Sequence, residues 1–153
     1  MSVFDNFVRK RFQNAHIASR GSWLAVAAGA ATIVAIARVL VPDVHGFGTH
    51  TQLGLPQCGF MALTGLPCPA CGLTTCFAHM ARAEFADAVH ANPIGVLLFG
   101  GVVAIIPSSV WASARNCAFF ETCARMRIAQ ACIVATCALF AQWLLRVGCL
   151  LLG

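Results

Sequence analysis

Three stretches of this chain are almost uninterrupted runs of apolar residues, and polar segments separate them. Residues 23–41 carry a single charge, Arg38, near the far end. Residues 93–112 carry none, and residues 128–152 have Gln130, Gln142 and Arg146 as their main polar members. At ~1.5 Å per residue each run is long enough to cross a hydrocarbon layer of ~30 Å. Trp23 and Trp143 suit the membrane interfaces, and Arg38 can reach the interface along its own aliphatic stem. Asn92 is placed to cap the second span, Pro93 suits its first turn, and Pro107 predicts a kink. The stripe Ala27, Ala31, Ala35 predicts a face where a neighbouring helix packs closely. Before the first span, Phe4, Phe7/Val8, Phe12 and Ala15 recur at helical spacing within residues 1–21. Asp5, Arg9, Lys10 and Arg11 fall mostly elsewhere on that helix, a pattern that suits a segment lying flat on lipid. Ala35-Ile36-Ala37 also resembles a signal-peptide cleavage site, but the apolar run is long for a signal peptide.

Composition supports this reading. Of 153 residues, 59% are apolar and 10% charged, where a soluble domain carries about 25% charge. That excludes an ordinary soluble domain, a disordered tail and a nucleic-acid binder. The net charge of +5 is not a basic patch, because the cations cluster at the edges of the apolar runs. Arg9, Lys10, Arg11 and Arg20 precede the first span; Arg115, Arg125 and Arg127 lie in residues 113–127; the long loop 42–92 has only Arg82. The positive-inside rule then puts the N-terminus and residues 113–127 in the cytoplasm, and loop 42–92 on the opposite side of the membrane.

Loop 42–92 holds most of the candidate chemistry. Five of the nine cysteines (Cys117, Cys123, Cys132, Cys137, Cys149) lie in or beside apolar segments and read as small hydrophobes. The other four, Cys58, Cys68, Cys71 and Cys76, share this loop with His45, His50, His79 and His90. From residue 72 to about 82 the pattern turns helical, with Leu73, Phe77 and Met80/Ala81 on one stripe, and a second short helix follows over 84–91. Both are too short to cross, so they lie along the membrane surface or dip back into it.

Cys68-Pro69-Ala70-Cys71 has three physical readings, and the sequence leaves all three open. It can be a redox pair, its thiolate favoured by a helix N-terminus. It can be half of a tetrahedral Zn²⁺ or Cu(I) site, with Cys58 and either Cys76 or His79 completing the set. It can be a disulfide clamp from Cys58 to Cys68 or Cys71. A c-type haem is excluded, because Gly72 stands where C-x-x-C-H requires histidine. Glu84 and Asp87 read as water-facing charges near a helix end. No Ser-His-Asp order, H-E-x-x-H or phosphate-binding loop is present.

The block Leu63-Thr64-Gly65-Leu66-Pro67-Cys68-Pro69-Ala70-Cys71-Gly72-Leu73-Thr74, followed by Ala88 and Asn92-Pro93, resembles a bacterial membrane-protein family known only as a domain of unknown function. That family's hallmark is T-G-x-x-C-P-x-C-G-[LM]-T-R, then a short helix, then an N-P that opens a span. An earlier cysteine is usual, and Cys58 matches it. The resemblance covers roughly residues 56–100. The sequence departs from it at Thr75, where the family has arginine, and at Ala83, where glycine is common. The resemblance implies a topology and a motif, and no activity.

The sequence therefore predicts an all-α integral membrane protein of three transmembrane helices. It adds an N-terminal interfacial helix and a short re-entrant or interfacial hairpin between the first two spans. The first functional expectation is a non-catalytic accessory or scaffold subunit that contacts lipid and other membrane subunits, or further copies of itself. The alternative is a membrane-embedded Zn or Cu site or thiol–disulfide protein built on Cys58, Cys68, Cys71, Cys76 and His79.

Overall fold

The computed structural model describes the backbone of residues 3–152 and the side chains of residues 19–150, apart from those of 120 and 125. The elements are α1 (Val3–Val39), a 3-10 turn (Thr49–Leu53), α2 (Gly59–Thr64), α3 (Leu73–Met80), α4 (Phe85–Ala91), α5 (Pro93–Ala114), α6 (Phe119–Arg125) and α7 (Ile128–Leu152). No strand occurs among the described residues. Ser19–Val39, Pro93–Ala114 and Ile128–Leu150 are long and apolar enough to cross a membrane, so the chain is an all-helical, multi-pass membrane protein. The sequence pattern divides residues 1–21 from residues 23–41, but the backbone runs through both as the single helix α1. The expected aromatic and basic faces of the first segment (Phe4, Phe12, Arg9, Lys10) lie outside the residues whose side chains are described.

The most extensive helix pairing is α1 against α5. The buried residues of α1 are Trp23, Ala27, Ala30 and Ala37, with Leu40 just beyond its end. These follow steps of three and four residues, the spacing of one helix face. The expected Ala27, Ala31, Ala35 stripe is corrected: Ala27 lies on the packed face, whereas Ala31 and Ala35 are exposed. The seam is rotated toward Ala30 because Trp23 and Leu40 anchor its two ends. Across it, Ser109, Ala112 and Ser113 are the buried residues near the end of α5, and small side chains on both helices allow a close approach.

Polar contacts fix each end of this pair. At one end, Ser19 Oγ and Trp23 Nε1 both donate to the Cys117 carbonyl, at 2.7 and 2.9 Å. The Trp23 and Phe119 rings meet edge to face at 4.7 Å. At the other end, the Arg82 guanidinium donates to the carbonyls of Arg38 (3.1 Å), Ala37 (3.4 Å) and Ala78 (2.9 Å). This places a cation on the orphan carbonyls at the C-terminus of α1, where the helix dipole favours it. Gln52 then clamps both backbone groups of Val41, accepting from its N–H at 3.0 Å and donating to its carbonyl at 2.6 Å.

The hairpin α3–α4 sits on the start of α5. Cys76, Ala88 and Ala91 form its buried centre, with Met80 and Val96 packed around them. Gly95 permits this contact: a β-carbon there would lie 2.8 Å from Cys76 Sγ and 3.1 Å from Leu73 Cδ1. α7 packs far less. None of its span is buried, and it holds the rest of the protein largely through hydrogen bonds made by Gln142, Trp143 and Arg146.

Two left-handed residues in this region carry opposite predictions. Gly72 has φ +86°, and a β-carbon on it would lie 2.5 Å from the Ala91 carbonyl oxygen. Ala83, between α3 and α4, has φ +62°, a conformation costing roughly 1–2 kcal/mol for a residue with a β-carbon. Gly72→Ala should therefore destabilise the protein by about 2 kcal/mol or more, while Ala83→Gly should stabilise it by about 0.5–1 kcal/mol. Thermal unfolding in detergent checks both; melting points that move together in one direction would contradict the strain assignment.

Candidate metal centre

Cys58, Cys68 and Cys71 converge. Their sulfurs all lie within 4.8 Å of one another, and Cys68 Sγ and Cys71 Sγ are 3.1 Å apart. Each sulfur is placed by an identifiable piece of local structure. Cys58 occupies the N-cap position of α2, which sets its sulfur beside the free N–H groups of that helix start without a capping hydrogen bond. Gly65 ends α2 in the left-handed conformation, its N–H on the Met61 carbonyl at 2.9 Å, and the chain turns back toward Cys58. The Cys68-Pro69-Ala70-Cys71 turn closes through the Cys71 N–H on the Cys68 carbonyl at 3.0 Å. The Cys68 N–H donates to Cys71 Sγ at 3.1 Å.

The turn is held from three directions. Gly72, the N-cap of α3, lies against the backbone of Ala91 and Gly46. Trp143 Nε1 on α7 donates to the Pro67 carbonyl at 2.6 Å. Asn92, fully buried, accepts from the Gly95 N–H at 3.0 Å and so caps α5, while its Nδ2 reaches the Cys71 carbonyl at 3.5 Å. One side chain thus starts a membrane span and steadies the cysteine turn. Thr75 is fully buried with its hydroxyl 2.8 Å from that of Thr49. Thr49 Oγ1 also accepts from the Asp43 N–H at 3.0 Å. A small hydroxyl side chain there ties α3 to the first part of the loop.

The other two candidate ligands lie elsewhere. Cys76 is fully buried in the α3–α4–α5 contact and is not part of the sulfur group. Its position three residues after Leu73 puts it on the core face of α3. His79 Nδ1 is 2.7 Å from Glu84 Oε2, and with Asp87 they form a separate group within 4.8 Å. What the cluster does have beside it is a cavity of about 330 Å³, lined by Cys58, Cys71, His45, His50 and Asp43 among others. His45 Nδ1 lies 3.0 Å from Asp43 Oδ1, and the His45 backbone N–H, with the imidazole beside it, lowers the Asp43 pKa.

The three thiols are not chemically equivalent. The Met61 backbone N–H lowers the Cys58 pKa, with Cys68, Cys71 and the Phe60 N–H adding to the effect. Burial first, and then its two sulfur neighbours, push the Cys71 thiol up to about 12. Burial alone pushes Cys76 up to about 11. Of Cys58 and Cys71, Cys58 is therefore the thiol that ionises more readily. In metal-free protein, iodoacetamide at neutral pH should modify Cys58 well before Cys71 and Cys76. Cys71 should speed up only in strongly alkaline solution, because the thiolate is the reacting form. Site-resolved mass spectrometry reads the order, and Cys71 reacting first would contradict it.

The family described as "Protein of unknown function (DUF2752)" matches residues 58–106. The matched segment starts at the first cysteine of the cluster and ends within α5, and it fits the resemblance to a family of unknown function. No curated protein and no solved structure matches the chain.

Proposed function

We propose that this protein is a membrane-anchored soft-metal centre in which Cys58, Cys68 and Cys71 bind zinc or copper(I) as thiolates. The convergence of three sulfurs within 4.8 Å carries the reading. Four sulfurs around zinc at ~2.3 Å lie about 3.8 Å apart, inside the range that these thiols already span. A cation also resolves the electrostatic problem of the cluster. It lets Cys71 ionise beside two other sulfurs despite its burial, because the metal's charge reverses the local preference for the neutral form. The walls of the adjoining cavity offer His45 and His50 for a fourth position, with Asp43 on the Nδ1 side of His45 to orient the ring.

Two observations weigh this against the rival readings. In a dithiol redox pair, Cys71 would not be the attacking thiol, because burial disfavours its thiolate. An accessory role draws support from α7, whose span has no buried residue and leaves Ile133, Val134, Leu144 and Leu145 exposed. Such a helix suits contact with another membrane subunit as well as with lipid, and that role is compatible with a metal centre on the loop. The distribution of arginine and lysine favours a cytoplasmic N-terminus, with the centre on the opposite face of a bacterial inner membrane.

Purified protein loaded with zinc or with Co²⁺ under reducing conditions should hold one equivalent. Cys58→Ser, Cys68→Ser and Cys71→Ser should each weaken binding at least tenfold, while Cys76→Ser should bind as the parent does. Metal analysis and the cobalt–thiolate absorption measure this. No metal retained, together with a stable disulfide among the three, would replace the proposal with the clamp reading.

A further inference from the structure

A second cavity, of about 640 Å³, lies between the end of α7 and the loop. Its lining mixes apolar residues, Phe47, Leu145 and Leu150 among them, with the polar side chains of Arg146, His90 and Gln142. Among the described residues no aspartate or glutamate lines it. The Arg146 guanidinium reaches the backbone of His90 and Ala91, just before the Pro93 start of the α5 span, so it lies level with that span's end, where hydrocarbon gives way to headgroups. One nitrogen of its guanidinium, Nη2, donates to the carbonyls of His90 and Ala91, both at 2.9 Å. These bonds fix the group in place and leave the Nε and Nη1 donors for the cavity. A fixed guanidinium at the rim of a membrane span, with no carboxylate in its cavity, calls for an anion.

From this charge, position and mixed lining we infer that the cavity binds one anionic phospholipid of the surrounding bilayer. The phosphate pairs with Arg146 beside His90 and Gln142, and the acyl chain lies against Leu145 and Leu150. The volume is within the ~300–1,000 Å³ usual for small-molecule sites and suits a headgroup with its glycerol. The cavity shares Cys71 and His45 with the proposed metal centre, but the charge that recruits the lipid is that of Arg146, which is no part of it.

The test is native mass spectrometry of the purified full chain in detergent with dioleoyl-phosphatidylglycerol or dioleoyl-phosphatidylcholine. The parent should retain one phosphatidylglycerol, roughly fivefold in preference to phosphatidylcholine, as expected for about 1 kcal/mol from one basic residue at a membrane surface. Arg146→Gln should abolish the preference and Arg146→Lys should keep most of it. Excess inorganic phosphate should leave the lipid in place. Because Arg146→Gln also removes the bonds to α4, the selectivity of the unaltered protein is an independent readout. Equal retention of the two lipids, unchanged preference in Arg146→Gln, or displacement by inorganic phosphate would each overturn the inference.

Discussion

The backbone of Gly72 passes so close to the carbonyl of Ala91 that a single β-carbon would lie 2.5 Å from that oxygen. Most of the loop's geometry depends on this approach. It sets the cysteine turn directly on the junction between α4 and α5, where Asn92 both caps the span and reaches the Cys71 carbonyl. The start of a membrane helix is among the most rigid anchor points available to a chain this small. Fixing the turn there gives Cys68 and Cys71 a defined position, and α2 then brings Cys58 to them. The glycine after the second cysteine and the Asn92-Pro93 pair are therefore two sides of one contact.

The same logic explains how a largely polar loop stays folded with little apolar burial of its own. Its buried centre is only Cys76, Ala88 and Ala91 with two flanking side chains. The remaining order comes from side chains that satisfy backbone groups at helix ends: Arg82 on α1, Gln52 on Val41, Trp143 on Pro67 and Arg146 on α4. Each removes an orphan carbonyl that would otherwise be costly beside a low-dielectric layer. All three spans contribute, so the loop is tied to the whole set rather than to its immediate neighbours.

Much of the architecture was legible in the sequence. Three long apolar runs predict three spans, since hydrophobic length alone decides that question. Asn92 and Pro93 predict a helix start because capping chemistry is local. The packed face of α1 was misread, because a stripe of small residues says that close packing is possible and not where the partner lies. Burial of Trp23 moved the seam to Ala30. At the site, Cys58, Cys68 and Cys71 were legible as a group, while Cys76 and His79 were not separable from it by spacing alone. Helix α3 turns Cys76 into the core and puts His79 against Glu84. The contributions of Trp143 and Arg146 span more than fifty positions of sequence, and no local pattern encodes such pairings.

Zinc K-edge X-ray absorption on protein purified with its metal tests the central claim most directly, because it counts the atoms bound to the ion. The account predicts a first shell dominated by sulfur at about 2.3 Å, in a ratio of three sulfurs to one lighter atom. A shell of nitrogen and oxygen without sulfur, or no zinc or copper at all in reduced protein, would contradict it.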